Sequence, residues 1–200
     1  MKIKNIFGLL INPFTRIAGW KAFFVGLFFV LLMGIIGTYS GIIFDGALDM
    51  HFANNLTFAK SFTALIVSIF SIVGVMSLVA LVVSKDFRFI DILGTMTLAK
   101  ASLFLLSFGG FLVVAPTVHE VLALMTNPDA FQLPVRFIVV TILSIPFIVW
   151  NVVLMYNALK VSCNLKGSTL AISFIIGIIL SEILSKVLLY ILFKNIPCLM

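Results

Sequence analysis

The sequence predicts an all-α membrane protein, a bundle of five transmembrane helices with short interfacial helices, and three observations carry that prediction. Hydrophobic residues make up 62% of the chain and charged residues only 10%, where soluble domains carry about 25% charged residues. The mean hydropathy is +1.29, more apolar surface than a water-soluble fold of this length can cover. Finally, apolar stretches recur at 22–44, 62–83, 101–118, 137–159 and 169–193. Most approach the roughly 20 residues that cross a hydrocarbon core about 30 Å thick. The connections are brief and polar, with no linker or second domain, so residues 1–200 form a single integral-membrane domain.

Ahead of the first span, Ile3, Ile6, Phe7, Leu10 and Ile11 follow the i, i+3, i+4 spacing of an amphipathic helix, with Lys2 and Lys4 at other positions. Such a helix lies in the headgroup plane. Asn12-Pro13 ends the apolar run where a signal peptide would need small residues. The first span carries Gly37 and Gly41 near its end, and the connection after it holds Asp45, Asp49, His51 and Lys60. Between the second and third spans, FRFIDILGTMTLAKA at 87–101 is unusually charged. Phe87, Ile90, Leu93, Gly94, Thr97 and Leu98 fall on one helical arc, and Arg88, Asp91, Thr95 and Lys100 mostly on the other. The pattern predicts an interfacial helix leading into span three. Arg88 and Asp91 stand three apart and can pair across one turn. Thr126-Asn127-Pro128-Asp129 and Pro134 are breakers before span four, which contains Pro146.

Lys2, Lys4, Arg16, Lys21, Lys85, Arg88, Lys100, Lys160 and Lys166 fall on one side of these spans, and only Lys60, Arg136 and Lys194 on the other. Positive charge accumulates on the cytoplasmic side. The N-terminus is therefore expected inside and the C-terminus outside, in an inner (cytoplasmic) membrane of bacterial type. Cys163 and Cys198 then lie on opposite faces and cannot pair.

Asn12-Pro13 followed by Trp20, the loop RFIDILGTMTLAKA and the stretch WNVVLMYNALKVSCNLKGSTLAISFIIG at 150–177 resemble the Yip family. These are five-span membrane proteins named for Rab/Ypt-interacting proteins, and the loop is most similar to bacterial members. The resemblance covers nearly the whole chain in architecture. It implies a cytoplasmic N-terminus, a bundle without a cofactor, and interaction or trafficking roles rather than catalysis. The short segment before span one does not match the longer N-terminal regions that carry partner contacts in eukaryotic members.

The sharpest local feature is Ser181-Glu182-Ile183-Leu184-Ser185-Lys186. Counting from Lys166 and Lys194, Glu182 lies roughly 24 and 18 Å along the helix from its ends, near the bilayer midplane. A charge there costs about 2.5–3.5 kcal/mol. Lys186 at i+4 leans back toward it, in the favourable Glu-then-Lys order. An intramembrane ionisable pair suggests a proton or ion path; the structural alternative is a self-neutralised pair packed near Ser68 or Asn151. Thr169, Ser173, Gly177, Ser181 and Ser185 repeat every four residues, a small-residue face for helix packing within the chain or for a homo-oligomer.

Enzymatic signals are lacking. His119-Glu120 begins like a zinc-binding HExxH, but position 123 is Ala. The thirteen Lys and Arg are scattered singly, without the basic stripe that a nucleic acid needs. No catalytic residue, cofactor or metal site is expected. The expected function is a non-catalytic membrane scaffold or adaptor. Its cytoplasmic interaction loop comprises Lys85, Arg88, Asp91 and Lys100, joined by Lys160 and Lys166, and contacts anionic lipid or protein partners. The alternative is a small solute or proton-coupled transporter or channel using Glu182 and Lys186.

Overall fold

The computed structural model describes residues 8–53, 55–84, 87–113 and 135–195. Lys2, Ile3, Lys4, Ile6, Phe7, Lys85, His119, Glu120, the turn at 126–129, Pro134 and Cys198 lie outside the described residues. Five helices are long and apolar enough to cross a membrane. They are α1 (Gly19–Ser40), α2 (Phe58–Val83), α3 (Phe89–Lys100) with its 3-10 continuation Ala101–Leu112, α4 (Val135–Cys163) and α5 (Gly167–Asn195). Their outer faces carry Phe24, Phe28, Ile66, Phe70, Leu81, Leu143, Ile179 and Ile183, all exposed. So large an apolar exterior needs lipid, not water, as its solvent. The chain is an integral membrane protein.

The third helix starts at Phe89. The segment expected to lie in the interface is thus the first half of a spanning helix. Its expected polar face reaches solvent only near its start, at Arg88 and in part Asp91. Thr95, Thr97 and Lys100 are as buried as Ile92 and Met96, because α1, α2 and α4 all pack around this helix. A helix surrounded by protein has no need of a wet face; its hydroxyls turn back instead. Thr95 Oγ1 donates to Asp91 O at 2.6 Å and Thr97 Oγ1 to Leu93 O at 2.7 Å.

From Ala101 to Leu112 the helix winds as 3-10, whose three residues per turn stack side chains in straight rows. Leu105, Phe108 and Phe111 form one exposed row, whereas Leu103 and Leu106 form a buried one. The latter row packs with Val30, Met33, Ile42, Phe44 and Leu65. Pro146 lies inside α4 without ending it.

Glycine sets how closely α1 can approach the third helix. A Cβ at Gly26 would stand 2.6 Å from Leu98 N, and one at Gly94 would fall on Gly19 O. The backbones are in direct contact. From Ser173 onward, beyond the exposed Thr169, the small-residue face of α5 packs within the chain: Ser173, Ser181 and Ser185 are buried, and a Cβ at Gly177 would meet Met76 Sδ of α2 at 2.6 Å. Gly37 likewise faces Ile42 O.

The connection after α1 is not a surface loop over residues 42–50. Gly41, at φ 73°, closes α1 in a left-handed cap with its N–H on Gly37 O. The chain then pairs β1 (Ile42–Ile43) with β2 (His51–Phe52), antiparallel, with Ile42 opposite Phe52. Ile42, Ile43, Phe44 and Ala47 are buried, so the loop between the two strands is folded into the bundle. Thr57 caps α2 by accepting from Lys60 N at 3.3 Å.

Gly94→Val should lower stability by about 1–3 kcal/mol or more, because backbone atoms cannot move aside as a side chain can. Gly74→Ala, where a Cβ meets nothing within 4 Å, should raise stability by about 0.5–1 kcal/mol. Unfolding of both variants in detergent micelles checks the pair, and equal responses would count against a glycine-set contact.

Candidate ionic site

Three elements bring five ionisable groups together. The folded-in loop supplies Asp45 and Asp49, the third helix Lys100, and α5 Glu182 and Lys186. The irregular backbone of the loop is held by side chains from the helices. Lys100 Nζ donates to Gly46 O at 2.6 Å and to Ala47 O at 3.0 Å. Ser68 Oγ of α2 also donates to Gly46 O, at 2.6 Å. The Leu48 N–H donates to Glu182 Oε2 at 3.2 Å. Gly46 is glycine because the Glu182 carboxylate lies against it; a Cβ there would fall on Glu182 Oε1.

The loop carboxylates in turn hold Lys186. Its Nζ is 2.9 Å from Asp45 Oδ2 and 3.1 Å from Asp49 Oδ2, but 3.9 Å from Glu182 Oε1. The expected Glu182–Lys186 pair is therefore the longest contact of Lys186, and the aspartates from the preceding connection are its main partners. With its proton on Nδ1, His51 donates to Asp45 Oδ1 at 2.8 Å. Glu182 Oε1 is buried and makes no hydrogen bond. Three carboxylates against two ammonium groups leave a net charge of −1 with His51 neutral, and zero when His51 is protonated.

Lys100 is fully buried, attracted by Glu182, Asp45 and Asp49 and repelled by Lys186. It does not belong to a cytoplasmic loop, as the sequence pattern suggested. It sits eleven residues into the third helix, about 16 Å along it, where the α-helix passes into 3-10. The rest of that expected loop divides differently. Arg88 is exposed and lies 3.8 Å from Asp91 at i+3, whereas Lys85 lies outside the described residues. Ser68 donates to Gly46 O, and Asn151 Oδ1 accepts from Ser102 at 3.3 Å; their hydrogen bonds go to these groups and not to Glu182.

Burial alone would raise the Asp45 carboxyl, but the hydrogen bonds and charges of Lys186 and His51 outweigh it and hold the group below its ordinary value. Asp45 therefore stays ionised and keeps Lys186 in place at neutral pH.

A cavity of about 510 Å³ opens between the loop and α4. Asp49, His51, Thr141 and Ser144 give it a polar edge, and Phe52, Val140 and Ile148 an apolar wall. It reaches the loop side of the cluster; Glu182 and Lys186 do not line it. Among the described residues, no group of three His, Cys, Asp or Glu is placed to hold a metal ion.

Asp45 and Asp49 escape a reading of the sequence because they stand between spans and look solvated. The available signal is their setting, IIFDGAL at 42–48, which is too apolar for a wet loop. Compared with known proteins, the chain matches no family model, no curated protein and no solved structure.

Lys100→Met strips two loop carbonyls of a donor and leaves buried carboxylates short of a cation. It should cost about 3–5 kcal/mol and expose the loop to a membrane-impermeant thiol reagent at Ala47→Cys. The Asp45 contribution is present above 3.8, the ordinary aspartate value, and is lost as pH falls through the lower folded value. The melting temperature should thus exceed that of Asp45→Asn at pH 7, with the gap shrinking below about pH 4. A gap independent of pH would remove the ionic latch.

Proposed function

We propose that this protein is a non-catalytic scaffold or adaptor of the cytoplasmic membrane, of the kind implied by its resemblance to bacterial Yip proteins. In this reading the N-terminus is cytoplasmic and the C-terminus outside. The observation that carries it is the mutual closure of the ionic cluster. Lys186 is engaged by Asp45 and Asp49, Lys100 by two carbonyls and Glu182 by the Leu48 N–H. The charges hold the fold together and leave little for a moving ion.

The interaction face is then the end of the bundle where Phe14, Ser84, Thr95 and Cys163 meet. Phe14 packs in one cluster with Leu159, Cys163 and Leu165. Ser84 Oγ donates to Cys163 O at 3.1 Å, and Thr95 Oγ1 lies 3.0 Å from Ser162 Oγ. Arg16, Lys21, Arg88, Lys160 and Lys166 are exposed at this end, and among the described residues Asp91 is the acid beside them. Each such cation near an anionic leaflet contributes about 1 kcal/mol, and the same cluster suits an acidic partner protein.

The second reading is proton- or solute-coupled transport. The cavity that reaches Asp49 and His51 favours it, as does the count of five ionisable groups where the sequence offered two.

Proteoliposomes carrying a pH-sensitive dye separate the two. The scaffold reading expects no protein-dependent proton flux, and proteins crosslinked through a photoreactive residue at Arg88 that are lost in Lys160→Glu/Lys166→Glu. Flux abolished by Glu182→Gln, which can still accept from Leu48, but preserved in Leu184→Ala would establish transport instead. Reporter fusions at Met1 and Met200 should light up in opposite compartments.

A further inference from the structure

A second concavity, about 470 Å³, lies on the other side of the third helix. Val25 and Phe29 of α1, Ala101 and Phe104 of the third helix, and Trp150 and Leu154 of α4 line it. The segment ahead of α1 straps across one end. Trp150 Nε1 donates to Leu10 O at 2.8 Å and Asn157 Nδ2 to Ile11 O at 3.1 Å, while Phe14 is anchored in the core. The groove is thus walled by three spanning helices and a pinned segment rather than by mobile side chains. Its open side is bordered by exposed Leu10, Val25 and Leu105, which face hydrocarbon in a membrane-spanning bundle.

We propose that this groove seats one acyl chain of an anionic phospholipid, with its phosphate held by Arg16 and Lys21. Depth and charge both point to that occupant. Trp20 is exposed and stacks on Phe24, the arrangement of an interfacial aromatic anchor, which marks headgroup level. Val25 and Phe29 then lie about 7 and 13 Å deeper along α1, among the lipid tails. Lys21 precedes them by one and two turns on the same helix face, and its side chain leans toward the headgroups. Arg16 adjoins Ile17 of the groove lining. Both cations are exposed and have no ion pair among the described residues, and Asp91, the nearby acid, already faces Arg88. An apolar slot ending at two cations matches a tail ending in a phosphate; a zwitterionic lipid, neutral overall, would leave both charges uncompensated, and an anionic one offsets one of them. The site requires only that the chain spans a membrane and is independent of whether the ionic cluster latches or conducts.

Native mass spectrometry of the full-length protein released from nanodiscs of equimolar phosphatidylglycerol and phosphatidylcholine tests this. One phosphatidylglycerol should be retained in preference to phosphatidylcholine. The preference should fall about fivefold for each charge removed in Arg16→Gln and Lys21→Gln. Ala101→Trp, which fills the slot, should abolish retention of either lipid. A reading that needs no variant of the groove comes from quenching of Trp150 fluorescence in a Trp20→Phe background. Phosphatidylglycerol with brominated tails should quench it more strongly than brominated phosphatidylcholine at the same mole fraction. Equal retention of the two lipids, insensitivity to both charge variants, or equal quenching would overturn the proposal. Displacement by free glycerol 3-phosphate would overturn it too, since it would make the site one for a soluble phosphate. A peptide or second protein copy found in the groove would replace the lipid as occupant.

Discussion

Hydrocarbon offers no hydrogen-bond partners, so any non-helical backbone at membrane depth must be satisfied by protein, and the fold is organised around meeting that demand for residues 44–50. The loop brings the carbonyls of Gly46 and Ala47 and the N–H of Leu48 in among the spanning helices, and Ser68, Lys100 and Glu182 meet them. The exchange is reciprocal. Lys100 could not be tolerated on a spanning helix without those carbonyls, and Lys186 and Glu182 would each cost several kcal/mol there without partners. Helix and loop are each unsuited to the interior alone and suited to it together.

This reciprocity explains why the third helix is central. It must carry Lys100 to the loop, so from Ile92 to Lys100 it is enclosed by α1, α2 and α4, and it needs small residues where α1 crosses. Gly94 and Gly26 supply them by direct backbone contact. Beyond Lys100 the change to 3-10 winding alters the rotation per residue. The row Leu103–Leu106 then stays on the core side while Leu105, Phe108 and Phe111 stay on the lipid side. An α-helix would smear those two rows around its circumference.

Hydropathy made the spanning helices legible because the property it measures, contact with hydrocarbon, is local. Glu182 was legible for the same reason, since distance along a helix translates into depth. What joins Glu182 and Lys186 to the rest is not local: the Lys186–Asp45 bond links residues 141 apart in sequence. The inside–outside count also assumes that a charge between two apolar runs is in water. That assumption fails for Lys100, which stands just before an apolar stretch but eleven residues into its helix and is fully buried. The periodicity at 87–101 misled for a related reason. A helical wheel separates polar from apolar residues without knowing that buried threonines bond their own backbone and that a lysine can reach into a neighbouring loop.

The two ends of the bundle differ in what they do with charge, and the difference follows from geometry. At the end holding Arg16, Lys21, Arg88, Lys160 and Lys166, cations outnumber Asp91, the one described acid among them, so their field is directed outward, toward phosphates or acidic surfaces. In the interior, Lys186 meets Asp45 and Asp49 at hydrogen-bond range and Glu182 at 3.9 Å, the three carboxylates attract Lys100, and little field escapes except the residual −1. His51, bonded to Asp45, and Asp49 both border the cavity beside α4, so that network reaches an open space. Latch and conduit therefore share the same groups. They differ in whether a proton is ever handed on to Glu182, whose Oε1 is buried and makes no hydrogen bond.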